Sequence, residues 1–318
     1  MKYPLMALAS LCAFSTPSFS SESTEITKQA ELNSSDIERE QPEHWSRLPF
    51  LGEKARELGY ELPIPVGVGL YYNTQEVGYS AKDDFLLGLS GTGKFGWLDT
   101  NISIPSEDVV ITGSDESLQL KIDAWVLPFL NIYGLVGHTK GQKNILADLS
   151  NAEGIPGGGI DIVLPIPLEY EAYNVGLGTV IAGQAEIIPG MHPFIFTGVA
   201  AFTNSWTTAT DSKIQTYIGS VRVGQRHDVY GGKLAVMLGY NYQLINQKVT
   251  GSMTFDITSG ARPSSVTVDY DVNLVSSQSH NMSVSMVYDF GPNNEWNIFA
   301  EYGFLNWDQL IVSIGRRF

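Results

Sequence analysis

The sequence predicts an all-β protein: an antiparallel transmembrane β-barrel of ten strands, preceded by a short N-terminal helix. Three observations lead there. Segments of about ten residues alternate with a period of two, one face apolar and the other small or polar. Aromatic residues gather at the ends of the apolar faces, as the girdles at a bilayer interface require, and the segment length matches the roughly 9 to 11 tilted residues that cross a bilayer. No uninterrupted apolar run of about 18 residues follows the N-terminus, so a spanning helix is excluded.

Composition agrees with this class. The chain has 318 residues, 43% hydrophobic and 17% charged, long enough for a core and too apolar for a disordered chain. With 34 Asp+Glu against 19 Lys+Arg, the net charge of -15 argues against a nucleic-acid partner. A single Cys leaves no intrachain disulfide. The mean hydropathy of -0.02 is the average of an apolar stripe, a polar second face and acidic connections. The 32 glycines recur inside apolar segments, where they suit the crowded inner face of a barrel.

The N-terminus carries an address. Met1-Lys2, the apolar stretch Leu5 to Phe14 and the small residues around Ser18-Phe19-Ser20 make a signal peptide over 1–20, cleaved after Ser20. Cys12 follows Leu11, where a lipoprotein signal wants a small residue, so lipidation is disfavoured. Residues 21–62 form a second segment, periplasmic or lumen-plugging. Ser21 to Glu43 is polar and acidic without periodicity, while Leu51 to Gly59 fits two helical turns stopped by Gly59 and Pro63. Residues 63–318 are assigned to the barrel.

Within it, Val66, Val68, Leu70 and Tyr72 alternate with Gly67, Gly69, Tyr71 and Asn73, and Leu118, Leu120 and Ile122 alternate with Gln119, Lys121 and Asp123. The same pattern places ten strands at about 65–74, 118–127, 129–139, 171–183, 193–203, 214–225, 233–245, 280–290, 295–304 and 308–318. Tight turns fall at Pro128, Gln184 to His192, Arg226 to Gly232 and Gly291 to Asn294, on the periplasmic side. Long extracellular loops then take 75–117, 140–170, 204–213 and 246–279. A hairpin of Phe95 to Ile104 with Val109 to Thr112 is the alternative that makes twelve strands.

The last strand, Leu310 to Phe318, ends on an aromatic, and it resembles the C-terminal insertion signal of Gram-negative outer-membrane barrels, with Gly315 and Phe318 at the family's glycine and terminal aromatic. Arg316 departs from the pattern, in which an aromatic is usual. The stretch Trp125 to Gly137 is similar to a hairpin of uncharacterised outer-membrane barrels of proteobacteria, and the likeness covers most of 48–318. The resemblance implies the cell outer membrane as location, and the barrel-insertion machinery, outer-membrane lipids and lipopolysaccharide as partners. It brings no established activity.

Catalysis finds little support. Barrel lipid hydrolases pair His and Ser two apart on one strand, because period two puts base and nucleophile on one face. His138, His192, His227 and His280 are followed two residues on by Lys140, Phe194, Val229 and Met282, and His44 precedes the barrel. His227-Asp228 falls in a periplasmic turn, and Ser279-His280 stands at a loop rim. Asp83-Asp84, Glu107-Asp108, Asp115-Glu116, Asp269 and Asp271 read as solvated acidic loops without the spacing of a calcium site, and Gly154 to Gly159 reads as a flexible loop. No catalytic residue, metal or cofactor is assigned. Lys121, Asp123, Arg222, Glu301 and Arg317 remain as charges facing the lumen, expected to form an ion-pair network across a narrow interior. The expected function is a porin-like narrow pore or transporter for small solutes. The alternative is a structural or surface-interaction barrel whose long loops bind a partner or lipopolysaccharide, with a lipid-active enzyme the weakest reading.

Overall fold

A computed structural model describes residues 48–58, 62–155, 157–188, 191–208, 212–256 and 263–318. The expected signal peptide with Cys12, the acidic stretch to Glu43, and Gly59 lie outside the described residues. The described elements belong to the unit Arg47–Phe318. Among them no helix is long and apolar enough to cross a membrane.

The one α-helix among the described residues, α1 (Gly52–Glu57), is shorter than the two turns expected. The Phe50 N–H donates to Val126 O at 2.8 Å, which ties this segment to one end of the sheet, and Phe50 and Leu51 are exposed there. Thirteen strands follow: β1 (Val66–Ala81), β2 (Phe85–Gly91), β3 (Asp99–Ile104), β4 (Val109–Leu127), β5 (Leu130–Asp148), β6 (Val163–Ala185), β7 (Phe194–Thr207), β8 (Lys213–Val229), β9 (Gly232–Asp256), β10 (Ser265–Ser276), β11 (His280–Phe290), β12 (Trp296–Gly303) and β13 (Asp308–Arg317). Ten close a ring in the order β1-β4-β5-β6-β7-β8-β9-β11-β12-β13, every neighbour antiparallel and β13 returning to β1.

The register fixes the geometry of the ring. Opposed residues lead from Ala182 through Thr197, Arg222, Gly239, Ser283, Gly303, Gln309, Gln75, Asp115 and Gly141 back to Tyr170, twelve residues along β6 from the start. A shift of that size over ten strands means strands tilted as in other barrels, about 35 to 45° from the axis. Tyrosines lock this register where they lie across glycines directly opposite them: Tyr133 over Gly178, Tyr170 over Gly141 and Tyr270 over Gly251, places where a Cβ would collide with the ring. Between β8 and β9, Tyr230 and Gly231 both take positive φ, 49° and 77°, the two-residue turn that suits a twisted hairpin.

Polarity inverts along the long strands. On β9, Val236, Leu238, Tyr240 and Tyr242 face outward and are exposed, while Asn241 and Gln243 face inward and are buried. Further along, Lys248 and Ser252 are outside, whereas Ile245 and Val249 are inside and buried. β4 does the same: Leu118, Leu120 and Ile122 are outward in one half, Val109 and Ile111 inward in the other. An apolar outside with a polar inside matches a hydrocarbon surround, and the reverse matches water.

The expected loops 75–117, 140–170 and 246–279 are therefore largely strand. Their alternation continues with its sense reversed, so a strand followed only by its outward apolar face stops too early, at the outer aromatics. β10 pairs with β9 along Ser265 to Val275, with the end of β1, and with β2 along Leu86 to Gly91, so it fills the wall above the short strands β11, β12 and β13. The twelve-strand alternative does not form: β3 pairs with β2, and β4 runs unbroken from Val109 to Leu127. β1 with β2, bent at Lys82–Asp84, and β3 with β4, bent at Pro105–Asp108, make one long hairpin whose base belongs to the ring and whose tip, β2 and β3, lies beyond the ring's inner half. Phe85, Leu87, Ile104, Ile111, Ile145, Val272 and Leu274 pack a buried apolar core within this outer extension.

Candidate functional site

The candidate site is the interior of the ring, which is layered. At the end nearest Phe318, Asp123 on β4 accepts from Arg317 Nη2 at 2.5 Å and from Asn131 Nδ2 at 2.6 Å, with Lys121 Nζ at 3.7 Å. Register explains the meeting: Gly67 separates Asp123 on one neighbouring strand from Arg317 on the other, and its missing side chain leaves them room. Arg317 Nε also donates to Ile64 O, and Lys121 lies 4.9 Å from the centre of the Tyr133 ring. A cavity of about 50 Å³ lies beside this group, lined by Gly67, Gly69, Tyr71, Lys121, Asp123 and Arg317, large enough for water.

A second pair sits across the interior. Arg222 Nε on β8 donates to Glu301 Oε2 on β12 at 2.5 Å, and Asn241 Nδ2 donates to Glu301 Oε1 at 3.2 Å. The guanidinium lies 5.8 Å from the Phe299 ring, itself stacked on Tyr71 at 6.2 Å. All five lumen candidates thus face inward and fall into two groups, Lys121–Asp123–Arg317 and Arg222–Glu301. Glu301 is 3% exposed, so its carboxylate depends on these partners in a poorly hydrated interior. The next layer consists of amides: Gln309 Nε2 donates to Asn73 at 2.9 Å, and Gln243 Nε2 donates to Gln75 at 3.2 Å.

Above them, Asp115, Lys143, Tyr79 and Tyr170 meet under the apolar core. Tyr170 and Tyr79 both donate to Asp115, and Lys143 Nζ donates to Tyr170 Oη at 3.3 Å while lying 4.0 Å from the centre of the Tyr79 ring. Lys143 is 1% exposed; burial brings its pKa down to about 8, with Asp115 opposing the shift. Both tyrosines are held well above 10.0, by burial first and by the Asp115 charge second. Sequence reasoning misses this group and assigns Asp115 to a solvated loop; the structure buries it instead. The signal lies in the parity of Val109, Ile111, Gly113 and Asp115, which share one face of β4.

The remaining candidates lie apart. His280 faces outward, and its Nδ1 lies 2.6 Å from Tyr240 Oη on the outside of the ring. His227 packs against His192 at 4.9 Å, and both it and Asp228 are exposed. Asp84 accepts from Ser103 and Asp83 from Asn273, tying the bend between β1 and β2 to β3 and β10. Among the described residues no three His, Cys, Asp or Glu side chains are grouped to hold a metal. Arg316 points outward and its guanidinium lies 5.3 Å from Trp296 and 5.2 Å from Phe318, so it joins the aromatic girdle where an aromatic would be usual.

No family model matches the sequence, and no curated protein matches it. Among solved structures, the chain is similar to the translocator domain of the autotransporter NalP from Neisseria meningitidis, at 12% identity and a TM-score of 0.33, over 92% of this chain and 97% of that one. It is also similar to the outer membrane protein AlkL, at 14% identity and a TM-score of 0.25, over 70% of this chain and 92% of that one. The toluene transporter TodX of Pseudomonas putida matches at 11% identity and a TM-score of 0.26, over 80% of this chain and 88% of that one.

Proposed function

We propose that the chain is an integral outer-membrane β-barrel whose own strands continue beyond the bilayer into a folded, closed surface extension, and that it acts at the cell surface as a structural or interaction barrel. The observation that carries this reading is the inversion of polarity along β4 and β9, which gives one half of each strand a hydrocarbon surround and the other half an aqueous one. The lipid-facing band would meet outer-membrane lipids and lipopolysaccharide, and the terminal strand with Gly315 and Phe318 would be the part read by the barrel-insertion machinery.

The porin-like reading has less support. An open pore needs a continuous wet path, and here the outer end holds a buried apolar core over the Asp115–Lys143 layer, while Asn281, Ser283, Ser285 and Glu301 are buried in the inner half. The enzyme reading has less still, since the described histidines lack a same-face nucleophile.

Single cysteines test the orientation. Ser252→Cys on the extension should react with a membrane-impermeant maleimide on intact cells, Asp228→Cys only after permeabilisation, and Leu177→Cys in the apolar band only after unfolding. Labelling of Asp228→Cys but not Ser252→Cys on intact cells would overturn the proposal.

A further inference from the structure

The wall of the interior is not packed evenly. Along the outer part of β11, inward residues are sealed, with Asn281 and Ser283 at 0% and Ser285 at 1% exposure. On the opposite side, formed by β5 to β8, two successive register rows face inward, Leu135, Gly176, Thr203 and Thr216, then Tyr133, Gly178, Ala201 and Ile218; Gly176 and Tyr133 are buried, and the other six are only partly covered. Ile218 is 36% exposed although it points into the ring. Apart from Tyr133, whose ring lies over Gly178, the arc is apolar or small with two threonines, and none of its own side chains is charged.

Polar atoms border it on both sides. In the row above, Asn174 is 4% exposed; its Nδ2 donates to Thr139 Oγ1 and its Oδ1 has no partner within the described protein. In the row below, Asn241 gives its Nδ2 to Glu301 and leaves Oδ1 without a partner, and Ser220 Oγ next to it has none. Two buried carbonyl acceptors left open ask for donors, because a polar atom taken out of water without a partner loses the hydrogen bonds that water supplied. Charge narrows the choice further. The carboxylates below are already held by Arg222, Arg317 and Lys121, so a cation would meet no free anion, and an anion would meet two bare carbonyl oxygens.

We infer that this side of the interior is a binding compartment for a small neutral amphiphile with a hydrogen-bond donor, an alcohol or primary amide of medium chain length, whose apolar body lies on Leu135, Ala201 and Ile218 and whose donor reaches Asn174 or Asn241. The inference is independent of the surface role, since it concerns only the membrane-level interior.

The test uses Ile218→Cys in the full chain, folded in bilayer vesicles, with outward-facing Tyr217→Cys as control and octanamide as the probe. Reaction of the Ile218→Cys thiol with N-ethylmaleimide should slow by about tenfold at octanamide concentrations about ten times its dissociation constant. Tyr217→Cys should be unaffected, octanoate and octylammonium should not protect, and Ala201→Phe, which fills the arc, should remove the protection while the barrel stays folded by circular dichroism. A folded Ile218→Cys that does not react, equal rates with and without octanamide, or equal protection by the two charged analogues would each overturn the proposal.

Discussion

At the scale of single residues, the interior depends on charges that cannot be removed one at a time. Glu301 is the acceptor for both Arg222 and Asn241, so Glu301→Ala leaves a buried guanidinium without its counter-ion. Breaking a buried pair from one side costs about 3–5 kcal/mol, whereas replacing both partners with apolar groups of similar size is often neutral. Glu301→Ala should therefore lower the urea midpoint of unfolding strongly, and Arg222→Met combined with Glu301→Leu should recover most of it. Lys143 gives a pH signature instead. Its folded pKa of about 8 lies below the ordinary 10.5, so the unfolded chain binds the extra proton between these values and stability rises with pH across that window. Tyr79 and Tyr170 act in the opposite sense above about pH 10, because they resist ionisation only when folded. Protection of the extension against protease should increase from about pH 8 to about pH 10 and then fall, and Lys143→Met should remove the rise.

At the scale of elements, the strands are held by paired faces and by a few close approaches. Gly141 lies opposite Tyr170 and beside Asp115, so Gly141→Leu would push the ring out of the group that closes the inner layers. Small-to-large changes in packed positions cost about 1–3 kcal/mol, and the loss should fall on the extension, read as faster hydrogen exchange in β5 and β6 above Gly141 than below it. The inner halves of the strands are legible in the sequence because an apolar face of about ten residues, aromatic at both ends, fits the thickness of a bilayer and the two interfaces that bound it. The ring of ten follows from the same period of two. The outer halves are hidden for a physical reason: their apolar residues switch to the other face, so Val109, Ile111 and Asp115 break the pattern that Leu118, Leu120 and Ile122 establish. The meeting of Asp115 with Lys143 and Tyr170 depends on a register shift accumulated around the whole ring, which no local segment contains.

At the scale of the whole barrel, one continuous wall serves two solvents, with ten strands in its inner half and β10 standing in for β11, β12 and β13 in its outer half. Its inner half places apolar side chains where lipid would be and ties its polar interior with ion pairs and amides; its outer half buries an apolar core of its own and presents polar residues to water. If the conduit is closed between these halves, single-channel recording of the full chain in planar bilayers should show no steady conductance from purified, folded protein in molar KCl at moderate voltage. A reproducible ohmic conductance that scales with salt concentration, from protein shown to be intact, would contradict it.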